Sequence, residues 1–539
     1  MSTLLTWPNK RQPTRPPSID LRLSEMFATN GEVGGWGNEE KNCTTLSPTP
    51  YLPISPSPNL LFHADNLPTL AHLLNQGYAG KVKLIYIDPP YQSGVVWQRK
   101  VRLRGEKAIT MQTAADHVFA AQTEYEDRWD EGEYLQFIYE RLPLLCELLS
   151  EDGSLWLHCD HRQTHHLRCL LEEVFGVENF LNTVTWRSQT ARGAKVNAFY
   201  FAASSQSIHI FAKNRKAPTV WNPPKRRILL SEAEAALQFM RDEGGFFRTS
   251  DPGSYSFASL KQLHSEGRLY APFGGEVVID EERQRVYSSK GGNLGVKYYL
   301  SKVGRNQWQL ERAVDNLWDD IPGLGTTPGE DLGYPTQKTE ALLTRIIETA
   351  SNTGDLILDC FMGSGTTLAV ANKLGRRWIG IDQNRGAMIT TRRRLQAQSS
   401  SFAIFAEAGG VRGEEELRSV FLTPHPSIIS ATITRNASDP ATIEVQINGY
   451  RSPTIEGQLA AGKAVEGDGD WRAIVDCVEI DPHFNGEIFR ATVVDAPIKK
   501  SQQVKGTYTV QAPVAATRVA VRITDVSGHE AMHETILNE

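Results

Sequence analysis

The sequence predicts an α/β fold with a mostly parallel sheet, followed by an all-β C-terminal module. Three observations carry that expectation. KVKLIYID (81–88) is an apolar, β-branched run without alternation at its centre, which suits a strand buried on both faces. GDLILDCFMGSGTTLAVANKLGRRWIGID (354–382) reads as strand, Gly-rich turn, helix and strand. After about residue 400, segments such as ATIEVQI, WRAIVDCVEID and TRVAVRITD alternate apolar with polar residues between turn signals, as in a small sandwich.

The elements follow in chain order. Residues 1–58 hold nine of the 28 prolines, with LSPTPYLPISPSP at 46–58. Proline removes backbone donors and favours extended chain, so 1–58 reads as a proline-rich arm or linker. NLLFHADNLPTLAHLL (59–74) predicts a strand, a polar turn and an amphipathic helix. YLQFIYERLPLLCELLS (134–150) has helical apolar spacing, GSLWLHCD (153–160) is a strand, and HHLRCLLEEVFG (165–176) is a helix that Gly176 ends. Residues 191–330 are less regular and rich in Gly, Ser, Arg and aromatics. TEALLTRIIETAS (339–351) is helical. The organisation expected is therefore 1–58 arm, 59–190 and 331–398 as two halves of one α/β domain, 191–330 inserted between them, and 399–539 the β-module.

Length and composition bound the function. At roughly 100–200 residues per domain, 539 residues suggest about three domains. The 40% hydrophobic and 22% charged content is that of a globular chain, which excludes fibrous and mostly disordered classes. No apolar run reaches about 18 residues, and prolines interrupt MSTLLTWPNKRQPTRPP before a signal-peptide core forms. A cytoplasmic protein is expected. Six cysteines without paired spacing argue against a disulfide framework or a Cys-based zinc site.

The net charge of −6 is unevenly spread: residues 401–539 hold 19 acidic and 12 basic residues, leaving about +1 for the rest. Between Asn179 and Ser231 there is no acidic residue but nine basic ones, Arg187, Arg192 and Lys195 among them. Such a stretch suits contact with phosphates, where Lys and Arg release counterions, although a solvated loop with a chance bias also fits.

Two sites carry chemistry. In Asp359-Cys360-Phe361-Met362-Gly363-Ser364-Gly365-Thr366-Thr367, glycines follow a buried strand and open a helix, which lets a ligand approach the backbone. Asp382 ends the next strand, where a carboxylate can accept hydrogen bonds from ribose hydroxyls. A dinucleotide site and an S-adenosylmethionine site share this pattern, and a purely structural turn is a third reading. The dinucleotide fingerprint wants a third glycine where Leu368 stands, which weakens the reading as a nicotinamide-dependent oxidoreductase. The other site, Asp88-Pro89-Pro90-Tyr91, directly follows the strand LIYI. This stiff turn would present a carboxylate, a carbonyl and an aromatic ring together, a set that suits a planar amine held at its edge and stacked on its face. A turn that merely contains Asp and Tyr is the plainer alternative.

Together, HADNLPTL, KVKLIYIDPPY, DGSLWLHCD, YPTQK and ILDCFMGSGTT resemble the ordered motifs of DNA amino-methyltransferases over about residues 59–395. DPPY stands about 270 residues before the cofactor motif, an order similar to the permuted β group, which includes type III modification subunits and solitary adenine methyltransferases. The resemblance implies a Rossmann-like S-adenosylmethionine-dependent sheet with an inserted target-recognition region at 191–330. Asp88 and the Pro89 carbonyl would accept hydrogen bonds from the exocyclic amine of a flipped base, with Pro90 stiffening the turn and Tyr91 stacking on the base. Asp359, Phe361, Gly363, Ser364 and Gly365 would line the cofactor, with Thr366 and Thr367 at its carboxylate. Asp382 would hold the ribose, Asp65 would approach the adenine, and Thr336 and Lys338 of YPTQK would close over the methionine end. Thr339 replaces the proline that usually follows PTQK. Arg187, Arg192 and Lys195 would touch DNA. An Asp heading the motif favours adenine N6 over the alternative, cytosine N4. Duplex DNA is the implied partner and restriction–modification or phage defence the implied setting, placing the protein at the bacterial nucleoid. Further partners to consider are a second copy of the chain and a restriction or helicase subunit, the latter docked on the acidic β-module.

No metal site is expected. His529-Glu530-Ala531-Met532-His533 matches HExxH but sits in β-patterned chain. The cluster His158, Cys159, Asp160, His161, His165, His166 reads as a polar strand end, and Arg392-Arg393-Arg394 as a solvated helix terminus.

Overall fold

The computed structural model describes residues 5–27, 59–101, 103–105, 120–130, 132–190, 199–217, 219–407, 429–452, 455, 470–497, 501–514 and 516–537. The chain forms two compact units, Met1–Asn222 with Asn316–Glu539, and Pro223–Asp315.

An eleven-stranded sheet organises the larger unit. Its strands are β1 (Leu21–Phe27), β2 (Asn59–His63), β3 (Val82–Ile87), β4 (Leu149–Cys159), β5 (Phe180–Trp186), β6 (Gln206–Ala212), β7 (Leu317–Trp318), β8 (Leu356–Asp359), β9 (Arg377–Asp382), β10 (Phe402–Glu407) and β11 (Phe489–Ala491). The spatial order is β7-β5-β6-β4-β3-β8-β9-β2-β10-β1-β11. The six strands from β4 to β10 run parallel. β6 is antiparallel to both β4 and β5, and β1 is antiparallel to β10. The continuous apolar runs lie where burial on both faces demands them: Leu84–Ile87 and Leu356–Asp359 are buried throughout.

Among the described residues, six α-helices accompany the sheet: α1 (Asn66–Leu73), α2 (Glu133–Leu148), α3 (Thr164–Phe175), α4 (Glu340–Ala350), α5 (Thr366–Lys373) and α6 (Arg385–Gln396). α2 packs on α1 and α3, and α5 packs on α4 and α6. Ile138, Leu142 and Leu145 put one stripe of α2 into the core. Burying each such side chain contributes about 1.5–3 kcal/mol. Gly176 ends α3 at φ +86, a conformation that glycine adopts without steric cost. After β3 the next sheet strand, β4, lies on one side; after β8 the next, β9, lies on the other. The gap between the carboxyl ends of β3 and β8 is therefore a topological switch point, where α/β sheets bind ligands.

Within the larger unit, three sequence expectations differ from the structure. Within the stretch expected as an arm, residues 5–27 pack onto the sheet. β1 pairs with β10, Trp7 is buried 5.4 Å edge-on from Tyr139, and Lys10 donates to Glu173 at 2.8 Å. The local proline content could not reveal these distant partners. Residues 28–58 lie outside the described residues. Phe402–Glu407, expected within the C-terminal module, is β10 beside β2. Arg392-Arg393-Arg394 is not solvated, because each guanidinium has acidic partners distant in sequence.

Beyond β10 the chain forms two small sheets. One joins Ile429–Arg435, Thr442–Tyr450 and Thr507–Gln511; the other joins Val493–Asp495, Val475–Asp481, Arg518–Asp525 and Glu530–Ile536. They share a core that includes Ile443, Val445, Val478, Ile480, Val521 and Ile523. The second unit, Pro223–Asp315, is more regular than its sequence suggested. It holds a four-stranded sheet, a three-stranded sheet and a hairpin, with apolar clusters around Trp308 and Val296. Its strands are short and interrupted by glycines, which hides their period.

Candidate active site

Both sequence-predicted sites open into one cavity of about 540 Å³ at the switch point. Asp65, Asp88, Pro90, Thr336, Lys338, Asp359, Phe361, Gly363, Ser364, Thr366, Thr367 and Asp382 all line it. Residues 250 or more positions apart in sequence thus meet because β3 and β8 are neighbours in the sheet.

The Asp88–Tyr91 turn leaves β3 at the cavity. The Tyr91 hydroxyl donates to Asp88, and the Lys338 ammonium donates to the other Asp88 oxygen and, at 3.1 Å, to the Thr336 carbonyl. Lys338 therefore reaches the proposed catalytic carboxylate. Pro89 is buried, and Tyr91 packs beside His158 with ring centroids 6.4 Å apart. Burial and the Asp88 charge raise the Tyr91 phenol well above its ordinary pKa, so it stays a hydroxyl donor. Burial pushes His158 down to about 3, keeping it neutral, and its Nδ1 shares a 2.8 Å hydrogen bond with the Tyr86 hydroxyl. Thr336 adopts φ +65, rare for a β-branched residue and a local strain of about 1–3 kcal/mol.

Sequence reasoning missed the group that shapes this turn. Asp127, 1% exposed, accepts the backbone N–H groups of Gln92 at 2.9 Å and Ser93 at 2.8 Å, and a longer one from Tyr91 at 3.3 Å. It also takes the Ser93 hydroxyl at 2.6 Å. No local signal marked it, because the turn it holds lies over thirty residues away.

On the other side, Asp359 accepts the Thr367 hydroxyl at 2.6 Å and the Phe361 N–H at 3.0 Å. Burial outweighs these hydrogen bonds and pushes its carboxyl up to about 7. Asp382 accepts the N–H of Gly363 at 3.0 Å and of Asn384 at 2.8 Å, tying the Gly-rich turn to the end of β9. Gly365 does not line the cavity. Its φ is +69, and a Cβ there would meet the Thr391 hydroxyl of α6 at 2.5 Å, so its smallness serves helix packing. Thr366 accepts from Arg394 at 2.8 Å, which fastens α6 to the turn.

The third wall was also missed. Arg141 of α2 donates to Asn66 at 2.5 Å and to Asp65 at 3.2 Å, and Asn66 donates to the Cys360 carbonyl at 2.8 Å. Phe137, under the Arg141 guanidinium, faces Phe361 at 5.9 Å. A charged residue inside an apolar helical stripe was the available signal.

The donor set fits S-adenosylmethionine. Carboxylates suit an ammonium and ribose hydroxyls, and the Phe137–Phe361 pair suits an adenine face. The two cations of the lining, Arg141 and Lys338, are already paired with Asp65 and Asp88. Leu368, at the position of a third fingerprint glycine, is fully buried, which disfavours a dinucleotide.

Of the DNA-contact candidates, Arg187 alone is among the described residues. Arg187 is exposed just beyond the end of β5. Arg192 and Lys195 lie outside the described residues. Among the described residues no group of three or more His, Cys, Asp or Glu side chains could hold a metal ion. Glu530 to His533 lie on a strand, whereas the HExxH pattern needs a helix to bring its histidines to one face. No helix among the described residues is long and apolar enough to cross a membrane.

A switch-point cavity with a carboxylate-bearing proline turn on one side and a Gly-rich turn on the other has the layout of an α/β enzyme site. The chain belongs to the DNA methylase family, whose profile matches residues 82–392. It is accordingly an S-adenosylmethionine-dependent methyltransferase. Type II methyltransferase M.EcaI of Enterobacter cloacae is 29% identical over 356 residues, 63% of this chain and 69% of that protein. The type III restriction-modification enzyme EcoPI Mod subunit of Escherichia phage P1 is 26% identical over 58% of this chain and 54% of its own length. DNA adenine methyltransferase YhdJ of Escherichia coli (strain K12) is 34% identical over 27% of this chain and 51% of its own. The chain thus spans about half the length of the last two relatives.

Proposed function

We propose that the protein is a site-specific DNA methyltransferase acting on adenine N6, a cytoplasmic enzyme of restriction–modification working at the nucleoid. The observation that carries this reading is that Asp88 and Pro90 of the Asp88–Tyr91 turn share a cavity with Asp359, Phe361, Gly363, Thr366 and Thr367. The relative named as a DNA adenine methyltransferase favours adenine over cytosine N4.

Bound at the Asp359 side, S-adenosylmethionine supplies an electrophilic methyl group. Asp359, Asp382, Phe361 and the start of α5 hold it. Asp88 and the Pro89 carbonyl each accept one hydrogen of the target amine, which turns the nitrogen lone pair toward the methyl. Tyr91 stacks on the base, offsetting the few kcal/mol lost when it leaves the duplex. The cofactor would supply the methyl group, its sulfur leaving with the bonding pair, and Asp88 would take the surplus proton of the methylated amine. Positioning supplies most of the acceleration. The ammonium of Lys338 yields its place on Asp88 to the incoming amine. The unit Pro223–Asp315, with Lys225, Arg226 and Arg227 exposed on one strand, supplies sequence recognition. A restriction subunit and a second copy of the chain are the assembly partners proposed.

The test is to incubate the protein with methyl-labelled S-adenosylmethionine and mixed-sequence duplex DNA, then separate the nucleosides. Label in N6-methyladenine is expected. Label in N4-methylcytosine would reassign the base, and cofactor binding without labelled DNA would contradict the proposal.

A further inference from the structure

The β5–β6 connection leaves the sheet at the same edge as the candidate active site. Cys159, which ends β4, pairs with Ser207, and Trp186 pairs with Gln206. β3, which delivers Asp88, is the neighbour of β4. The connection therefore starts two to three strand spacings from β3, about 10–14 Å. An aromatic path crosses that interval. Tyr91 lies 6.4 Å from His158, and His158 lies 5.7 Å from Trp186, measured between ring centroids.

Phe199, Tyr200 and Phe201 stand on this connection, 108%, 73% and 102% exposed. Among the described residues, nowhere else do three consecutive large apolar side chains stand in water. Each aromatic ring presents 150–250 Å² that burial would stabilise, roughly. The base of the connection is held, because the Gln189 side chain donates to the Ala203 carbonyl at 2.8 Å and its backbone N–H to Ser204 at 3.2 Å. Arg187 adds an exposed positive charge at its start.

We propose that Phe199-Tyr200-Phe201 is an aromatic wedge for duplex DNA, which enters the base stack beside the extruded nucleotide. This rests on the DNA methyltransferase reading and deepens it. Removing a base from a duplex leaves an unstacked gap, and apolar side chains stabilise an opened base step by inserting into it. The path from Tyr91 through His158 to Trp186 runs from the Asp88 turn to the start of the connection that carries the wedge. An aromatic face stacks on any base, so the wedge acts at extrusion and leaves sequence selection to other groups.

The experiment compares the full chain with a Phe199→Ser/Phe201→Ser double variant. Both rings are fully exposed, so folding is not at stake. The methylated position is first located in mixed-sequence duplex DNA. Oligonucleotide duplexes carrying it are then made with the target base either paired or opposite an abasic gap. On the paired duplex kcat/KM is expected to fall about ten- to hundredfold, the loss of one or two stacking contacts. On the gapped duplex, where extrusion is nearly free, most of the loss should vanish, with cofactor affinity unchanged throughout. A variant as active as the parent on paired DNA would overturn the wedge. So would equal impairment on both duplexes, which marks a general DNA-binding surface. If the parent methylates no DNA, the underlying reading falls and takes the wedge with it.

Discussion

Asp359 and Lys338 each hold a charge or proton that bears on the reaction. The Asp359 carboxyl titrates near 7 because burial disfavours its charged form. A carboxyl whose folded pKa is raised contributes stability at low pH and loses it as pH rises through the folded value. The cofactor-free protein should therefore lose stability between about pH 4 and 7 by up to roughly 1.4 kcal/mol per pH unit at this residue. Thermal unfolding across pH 5–8 should show a shallower decline in Asp359→Asn than in the parent; parallel curves would refute the assignment. Lys338 makes a separable prediction. Because its ammonium sits on Asp88, Lys338→Met should slow methyl transfer about tenfold while leaving cofactor affinity near the parent value. A large loss of cofactor affinity in equilibrium binding would instead return Lys338 to the methionine end.

At the scale of elements, two turns after two neighbouring strands make the site, and each is held from outside. Asp127 holds the turn after β3, and Asp382 with α6 holds the turn after β8. Asp127→Ala would orphan backbone N–H groups, each costing about 1–3 kcal/mol when buried. Displacing the turn by even an ångström should lower the rate about a hundredfold, measured at saturating cofactor in single turnover. An unchanged rate with a lowered Tm would confine Asp127 to stability. These elements also show what sequence reading reaches. β3 and β8 were legible because burial on both faces imposes continuous apolar runs, and the chemistry of both turns is written within a few adjacent residues. Asp127, Arg141 and the packing role of Gly365 were not legible. Each depends on a partner that only the fold brings near.

At the scale of the molecule, one buried ionic cluster joins three parts of the larger unit. Arg392 of α6 and Arg522 of the C-terminal β region share Glu25 of β1 and Glu479, and Arg392 also pairs with Glu530. Glu479 is fully buried. Unlike an exposed pair, such a cluster is costly to break on one side only. Arg392→Met is expected to destabilise by about 3–5 kcal/mol, read by denaturant unfolding. A change below about 1 kcal/mol would mean the carboxylates are served by Arg522 alone. The nearby guanidinium groups depress Glu530 to about 2 and also lower Glu479. Carboxylates held low stabilise above their unfolded pKa, so this contribution should decline as pH falls from about 4.5 toward 2. The β-strand pattern of the C-terminal region was readable in sequence; its attachment was not, because the charges that make it resemble surface residues until their partners are known.

The central claim is that Asp88 performs the transfer step in a pocket whose other wall binds the cofactor. Single-turnover methylation of duplex DNA by Asp88→Ala, with cofactor affinity measured on the same preparation, tests it most directly. The account predicts cofactor affinity within a few-fold of the parent and a methylation rate lowered by about a hundredfold or more. A variant that binds cofactor and methylates adenine at the parental rate would contradict it.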